Sequence, residues 1–200
     1  MNKTNIEWCD YTWNPIVGCA NGCSYCYAKE MNKRFKFIPD WDKPQFFPDR
    51  LTEPSRLRKP STIFVGSMCD IFSKGVSKDW VKKIIMECVL NPQHKFMFLT
   101  KNPTEYAYFP HFPENCWLGF TMEKPTIKYW KFRDIVKNIN AKSFVSIEPI
   151  MDKFGMDLSD MDLVIVGAMT GKNPVIPQKE WIDSIKHHNI FYKSNIKRYL

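Results

Sequence analysis

Histidine is scarce in this chain, and none of the four (His94, His111, His187, His188) lies near the cysteine-rich loop at residues 18–27. A second C-x-x-C pair is also missing. A structural zinc ion takes four ligands, usually from short-spaced sets, so both gaps count against a zinc module. Apolar runs long enough to cross a bilayer are absent, and no membrane partner is expected. No apolar stretch follows Met1-Asn2-Lys3, so the expectation is a cytoplasmic protein without a secretory leader. Glycine is sparse, 8 residues against 14 prolines, which predicts stiff connections. No internal repeat, low-complexity tract or linker interrupts the chain.

What is present predicts a globular fold. Hydrophobic residues make up 44% of 200 residues, enough for one domain over 1–200 with a sizeable core. The formal charge of +8 suits a polyanionic partner, of which nucleic acid is the commonest; the alternative is a merely basic surface. Seven cysteines is an odd number, and clustered cysteines in a reducing compartment point to metal or redox chemistry. Cys19, Cys23 and Cys26 stand at C-x3-C-x2-C spacing. Cys88 and Cys116 sit in apolar contexts and are expected in the core. Cys9 is the candidate fourth ligand if the metal is zinc.

The element pattern is regular after residue 61. Aromatic and β-branched residues over 8–18 predict a first strand ending near Gly18, and Tyr27 to Arg34 reads as a helix. Residues 35–61 have no period and mix basic side chains with aromatics that need burial. That excursion suits an unpaired nucleic-acid strand or, as favoured here, a lid with solvated charges. Strands are predicted at 62–66, 95–100, 116–121, 143–148, 163–167 and 190–193. Helices are predicted over 78–90 (Trp80, Val81, Ile84, Ile85, Cys88 and Val89 on one face), near 103–109, over 126–139 (burying Ile127, Trp130, Ile135, Val136 and Ile139) and from Pro177.

Short apolar strands alternating with helices signal an α/β fold with a parallel sheet buried on both faces. Polar residues recur at successive strand ends: Ser67 to Asp70, Thr100-Lys101, Thr121 to Glu123, Glu148, the loop after Gly167, and Lys193-Ser194. Barrels keep their active sites there. A complete eightfold barrel takes about 250 residues. The expectation is therefore a partial (β/α) barrel of about six to seven parallel strands, open on one side.

Iron–sulfur clusters are usually held by four cysteines, so three thiolates on one loop leave one iron open. The spacing, with aromatic Tyr25 directly before Cys26, resembles the signature of the radical S-adenosylmethionine superfamily. That resemblance implies a 4Fe-4S cluster on Cys19, Cys23 and Cys26, with S-adenosyl-L-methionine on the open iron. It also implies reductive cleavage to a 5′-deoxyadenosyl radical and a reducing donor of the flavodoxin or ferredoxin type. The wider chain resembles a small three-cysteine family of phages and prophages with no settled activity. The likeness runs through Thr12-Trp13-Asn14-Pro15, Pro48-Asp49-Arg50-Leu51, Gly66-Ser67-Met68-Cys69-Asp70, Leu99-Thr100-Lys101-Asn102-Pro103 and Ser146-Ile147-Glu148-Pro149. The cysteine segment is also similar to that of spore photoproduct lyase and its relatives, which repair DNA.

By this resemblance Gly66, Ser67 and Asp70 face the methionyl amino group of the cofactor. Thr121, Glu123 and Glu148 are candidates for the ribose hydroxyls or the methionyl end, and Tyr25 and Gly167 for the adenine. Lys101 and Lys193 either contact substrate or pair with Glu123 and Glu148. The substrate class suggested is a nucleotide or nucleic acid. The chain departs from the family at Ala168-Met169-Thr170-Gly171 and at Ser194.

Overall fold

The computed structural model describes residues 1–171 and 173–200. Its main sheet has eight strands: β1 (Asn2–Lys3), β2 (Tyr11–Trp13), β5 (Thr62–Val65), β6 (Lys95–Thr100), β7 (Cys116–Thr121), β8 (Lys142–Ile147), β9 (Leu163–Val166) and β10 (Ile190–Tyr192), in that spatial order. Strand β1 pairs antiparallel at one edge, and every later pair is parallel. A doubly wound sheet reverses its strand order at a switch point. This one advances without reversal, so right-handed crossovers of one sense place their helices on the same face.

The side-chain period of two separates the faces. Phe96, Phe98, Leu118, Phe120, Val145, Ile147, Val164 and Val166 pack with residues of helices α2 (Lys78–Leu90) and α3 (Lys128–Asn138). On the opposite face Met97, Phe144 and Ile165 cluster with Leu99, Trp117, Leu163, Phe191 and Trp8. Trp8 comes from the β1–β2 connection and packs against Phe64, with ring centroids 4.7 Å apart. Next to it, Glu7 accepts from the backbone N–H and hydroxyl of Ser194 at 2.8 and 2.9 Å. The N-terminal segment thus folds across the helix-free face and ties to the end of β10. Gly119 stands opposite Phe144 in the register. A Cβ there would lie 2.3 Å from the Phe144 ring, so this glycine makes room for the ring.

Several local expectations change. The strand foreseen over 8–18 divides at Asn14-Pro15, because proline has no N–H to extend a ladder. Beyond it, β3 (Ile16–Val17) leaves the main sheet and pairs with β4 (Gln45–Phe46) from the excursion. Helix α3 buries Tyr129, Phe132 and Val136, while Ile127 is 76% exposed and Trp130 lies under the Arg133 guanidinium at 4.8 Å. Val89 of α2 faces solvent. Helix α4 (Lys179–Asp183) starts two residues after Pro177, and α5 (Ser194–Lys197) closes the described elements. Cys88 and Cys116 lie in the core.

The excursion packs beneath the cysteine loop. Helix α1 (Tyr27–Phe35) ends at Lys36 in a left-handed conformation, and the Asn32 side chain exchanges two hydrogen bonds with Ile38, each at 3.0 Å. Ile38 and Trp41 then join Val17 and Ala28 in a small second core, with Cys19 and Cys26 packed against it. Full burial of a side chain such as Val17 or Ile38 contributes about 1.5–3 kcal/mol. The indole N–H of Trp13 donates to the Arg50 carbonyl at 2.7 Å, and Arg50 donates to the Asn14 carbonyl at 3.1 Å. Phe35 and Phe37 remain about half exposed, contrary to the burial expected of them.

Candidate functional site

Six strand ends and the cysteine loop line one cavity of about 260 Å³. Its walls include Cys19, Cys23, Tyr25 and Cys26 from the loop, and Gly66, Ser67, Cys69 and Asp70 after β5. Thr100 and Lys101 come from β6, Thr121 from β7, Ser146 and Glu148 from β8, Ala168 after β9, and Lys193 after β10. Most of these are continuations of the helix-free face: Leu99 leads to Lys101, Gly119 to Thr121, and Phe144 to Ser146 and Glu148. A second cavity of about 730 Å³ shares Ile6, Tyr27, Ser67, Glu148, Thr170 and Lys193 with the first, so the two adjoin.

The loop begins at Gly18, whose φ of +101° suits glycine; a Cβ would stand 2.7 Å from Ile38 Cδ1 and 2.9 Å from the Trp41 carbonyl oxygen. The Gly18 N–H donates to the Met68 carbonyl at 3.0 Å and that of Cys19 to the Trp41 carbonyl at 2.8 Å. At the other end Cys26 caps α1, its Sγ accepting from the Lys29 N–H at 3.4 Å. A helix N-terminus favours negative charge at that sulfur. Burial pushes the Cys19 and Cys23 thiols up, and at Cys23 the Lys101 ammonium opposes this.

Asp70 ties the loop to the sheet. Its carboxylate accepts from Asn21 Nδ2 (2.6 Å), the Thr100 hydroxyl (2.8 Å), the Lys101 N–H (2.9 Å), the Phe72 N–H (3.0 Å) and Asn102 Nδ2 (3.3 Å). Gly66, with φ +83°, opens that turn; a Cβ on it would meet the Cys69 carbonyl oxygen at 2.7 Å. Ser67 exchanges hydrogen bonds with the Asn14 side chain, and Tyr27 donates to the Ser67 carbonyl at 2.8 Å.

Two ion pairs stand at the strand ends. Lys101 Nζ lies 2.6 Å from both Glu123 Oε1 and the Tyr25 hydroxyl, and that hydroxyl donates to Glu123. Burial pushes the Glu123 carboxyl up, but the hydrogen bonds from Lys101 and Tyr25 outweigh it and the net shift is downward. Burial and the Glu123 carboxylate both push the Tyr25 phenol up. Lys193 pairs with Glu148. Gly167 lies under that pair: a Cβ would be 3.0 Å from Lys193 Cδ and 3.1 Å from Glu148 Cδ.

Tyr25, Gly66, Ser67, Asp70, Lys101, Thr121, Glu148 and Lys193 line the cavity together with the three cysteines. Glu123 and Gly167 are not among its walls and act on it through Lys101, Tyr25, Glu148 and Lys193. Cys9 turns its Sγ toward the Ile6 carbonyl at 3.8 Å and does not line the cavity. Thr100, expected at a strand end, donates to Asp70, and Asn21 and Asn102 join it there although the sequence did not single those two out for the site; short polar side chains beside Cys19 and Lys101 were the available signal. At the departures, Ala168, Met169 and Thr170 line the cavity, and Ser194 bonds to Glu7.

All three loop cysteines are free thiols. Among the described residues no three His, Cys, Asp or Glu side chains converge as a single metal ion requires. Cys19, Cys23 and Cys26 all line the cavity, and a cluster takes one thiolate per corner, whereas a structural zinc ion takes four ligands. The donor set therefore fits an iron–sulfur group. Among the described residues no helix is long and apolar enough to cross a membrane.

A model of the DUF5131 family, described as proteins of unknown function, matches residues 3–194. No curated protein matches the sequence. Among solved structures, a cysteine-to-alanine variant of spore photoproduct lyase with dinucleoside spore photoproduct aligns with a TM-score of 0.61 and 14% identity, covering 82% of this chain and 57% of the lyase chain. A double variant of that lyase with bound AdoMet and dinucleoside spore photoproduct aligns with a TM-score of 0.63 and 13% identity, covering 84% and 58%. The chain thus spans less than three fifths of the lyase chains it matches. At such identity the likeness establishes a shared fold.

Proposed function

The chain belongs to the DUF5131 family of unknown function, and we propose that it is a radical S-adenosylmethionine enzyme on a partial (β/α) barrel. The observation that carries this is the cavity walled by Cys19, Cys23 and Cys26 on one side and by the ends of the parallel strands on the other. Cys19, Cys23 and Cys26 would hold a 4Fe-4S cluster, and S-adenosyl-L-methionine would bind beside it in the cavity. When bound, the pair supplies reductive cleavage of a carbon–sulfur bond and a 5′-deoxyadenosyl radical.

The chain's own residues do the positioning. Asp70, with both oxygens already accepting, fixes the cysteine loop against β6. Ser67, Thr121 and Ser146 present polar atoms to the cofactor, and Glu148 and Lys193 are an acceptor and a donor at the opposite rim. Lys101 supplies positive charge beside Cys23. Trp8, Phe64 and Leu99 exclude water from the floor. The adjoining 730 Å³ cavity is the substrate chamber, with Tyr27 and Phe37 as apolar faces. A nucleotide or nucleic acid suits those faces, the net charge of +8 and a fold shared with a lyase that binds a dinucleoside. A small reducing protein supplies the electron.

Anaerobic purification tests this. The expected protein is brown, absorbs broadly near 400 nm, carries about four irons and releases 5′-deoxyadenosine when reduced with S-adenosylmethionine. A colourless protein holding one tight zinc overturns the proposal.

A further inference from the structure

Ala28 and Asn32, four residues apart, are the buried positions of helix α1. Tyr27, Met31 and Phe35 share that spacing on the neighbouring face, and all three are exposed. Phe37, just past the helix, is exposed too, with its ring centroid 5.7 Å from that of Phe35. A surface helix ordinarily turns its apolar stripe to the core. A stripe left in water marks a binding surface. This one leads into the site: Tyr27 lines both cavities, Met31 and Phe37 line the larger, and Phe35 lies outside both. Cations flank it. The Arg34 guanidinium stands 5.0 Å from the Phe35 centroid, and Arg50 is a wall of the larger cavity. Among the described residues Arg34, Lys36 and Arg50 pair with no carboxylate. Glu30 on the helix pairs with Lys33, and Asp40 and Asp42 after it pair with Lys43 and Lys29. Flat apolar side chains interleaved with unpaired cations suit stacked bases joined by phosphates. A purely apolar protein face would leave the cations without partners.

We propose that this stripe is a track for an unpaired nucleic-acid strand, on which the nucleotides flanking the reacting one stack. The inference rests on the functional reading above for the chamber at the inner end of the track, and it extends the occupant from a nucleotide to a strand. Tyr27 and Phe35 are about 12 Å apart along the helix. Nucleotides follow one another about every 3.4 Å, so the track takes about three or four of them. Phe35 and Phe37 offer ring faces to bases at the outer end, and Arg34 and Lys36 face the phosphates. Stacking reads no base edge, so the track tolerates sequence.

The test is fluorescence anisotropy of a labelled oligothymidylate of about 12 nucleotides, within the site sizes of single-strand binders. An oligouridylate, a duplex of the same length and thymidine monophosphate are the comparisons. Binding needs no cluster, so the full chain is used as purified. Wild type is expected to bind a single strand, DNA or RNA, more tightly than the duplex and far more tightly than the mononucleotide. Phe35→Ala and Phe37→Ala should each weaken binding at least about fivefold, the lower end for a base stacked on an aromatic ring. Phe35→Trp keeps a ring face and should keep the affinity. Arg34→Gln with Lys36→Gln should flatten the logarithmic salt slope by about 1.4, the share of two phosphates on a single strand. Leu90→Ala, at an exposed apolar residue of α2, should bind as wild type does. All these positions are exposed, so the melts should match. Equal affinities in wild type, Phe35→Ala and Phe37→Ala, or for strand and duplex, overturn the track and leave a merely basic surface. A wild type that sediments as a dimer and becomes a monomer with Phe35→Ala gives the stripe to a second copy and also overturns it. Release of 5′-deoxyadenosine is read separately, so failure of the functional reading shows there and not in the anisotropy.

Discussion

Replacing Asp70 with alanine removes one acceptor from five donors that come from three parts of the chain. A hydrogen bond to a charged group is worth about 1.5–3 kcal/mol, and a buried donor left unpaired costs about 1–3 kcal/mol. These terms do not add, since the site opens on a cavity and water reaches some of the donors. The two backbone N–H groups, of Phe72 and Lys101, lie in turns and cannot turn away; the side chains of Asn21, Thr100 and Asn102 can. Counting the two fixed donors and part of the rest gives a loss of about 3 kcal/mol. At about 2–4 °C per kcal/mol for a chain of this size, the melting midpoint should fall by about 6–12 °C. Urea unfolding of apo wild type and Asp70→Ala measures this without any cofactor. Asp70→Asn keeps acceptor capacity and should lose less. If instead Asp70 serves mainly to hold the cofactor, Asp70→Ala will unfold within about 0.5 kcal/mol of wild type, as surface substitutions do, and the clamp reasoning fails.

Gly119→Ala forces a Cβ into the Phe144 ring and should cost at least about 1–3 kcal/mol by denaturant unfolding; a neutral result would mean that the ring shifts freely. Cys23→Ala should abolish iron binding yet keep a cooperative melt, because the loop lies at the cavity wall outside the main core; an unfolded variant contradicts that placement. Glu123 has a lowered folded-state pKa, so its contribution to stability is present above the ordinary glutamate range and is lost as pH falls through the folded value. The stability gap between wild type and Glu123→Gln should therefore be largest near pH 6–7 and close below about pH 4. With a third of the side chain exposed it stays small, and a gap that widens in acid refutes the assigned sign.

Much of this protein is decided locally. Apolar strands alternating with helices required a buried parallel sheet, and the period of two put Lys101, Thr121, Glu148 and Lys193 at strand ends. The C-x3-C-x2-C spacing by itself allowed either zinc or an iron–sulfur cluster. Helix faces were less legible: Ile127 and Trp130 share apolarity with Tyr129 and Phe132, and docking against Tyr106 of the 103–108 turn and Phe120 of β7 selects the buried pair. Strand β3 leaves the main sheet because it finds β4, and no local signal in Ile16-Val17 names that partner. The roles within the site also needed three dimensions. Asp70 has as neighbours Asn21 and Asn102, far from it in sequence, and Gly167 matters because Glu148 and Lys193 meet above it. Residue type and spacing determined which groups this chain possesses. Long-range packing decided which of them face one another, because hydrogen bonds and ion pairs depend on distances that sequence separation does not set.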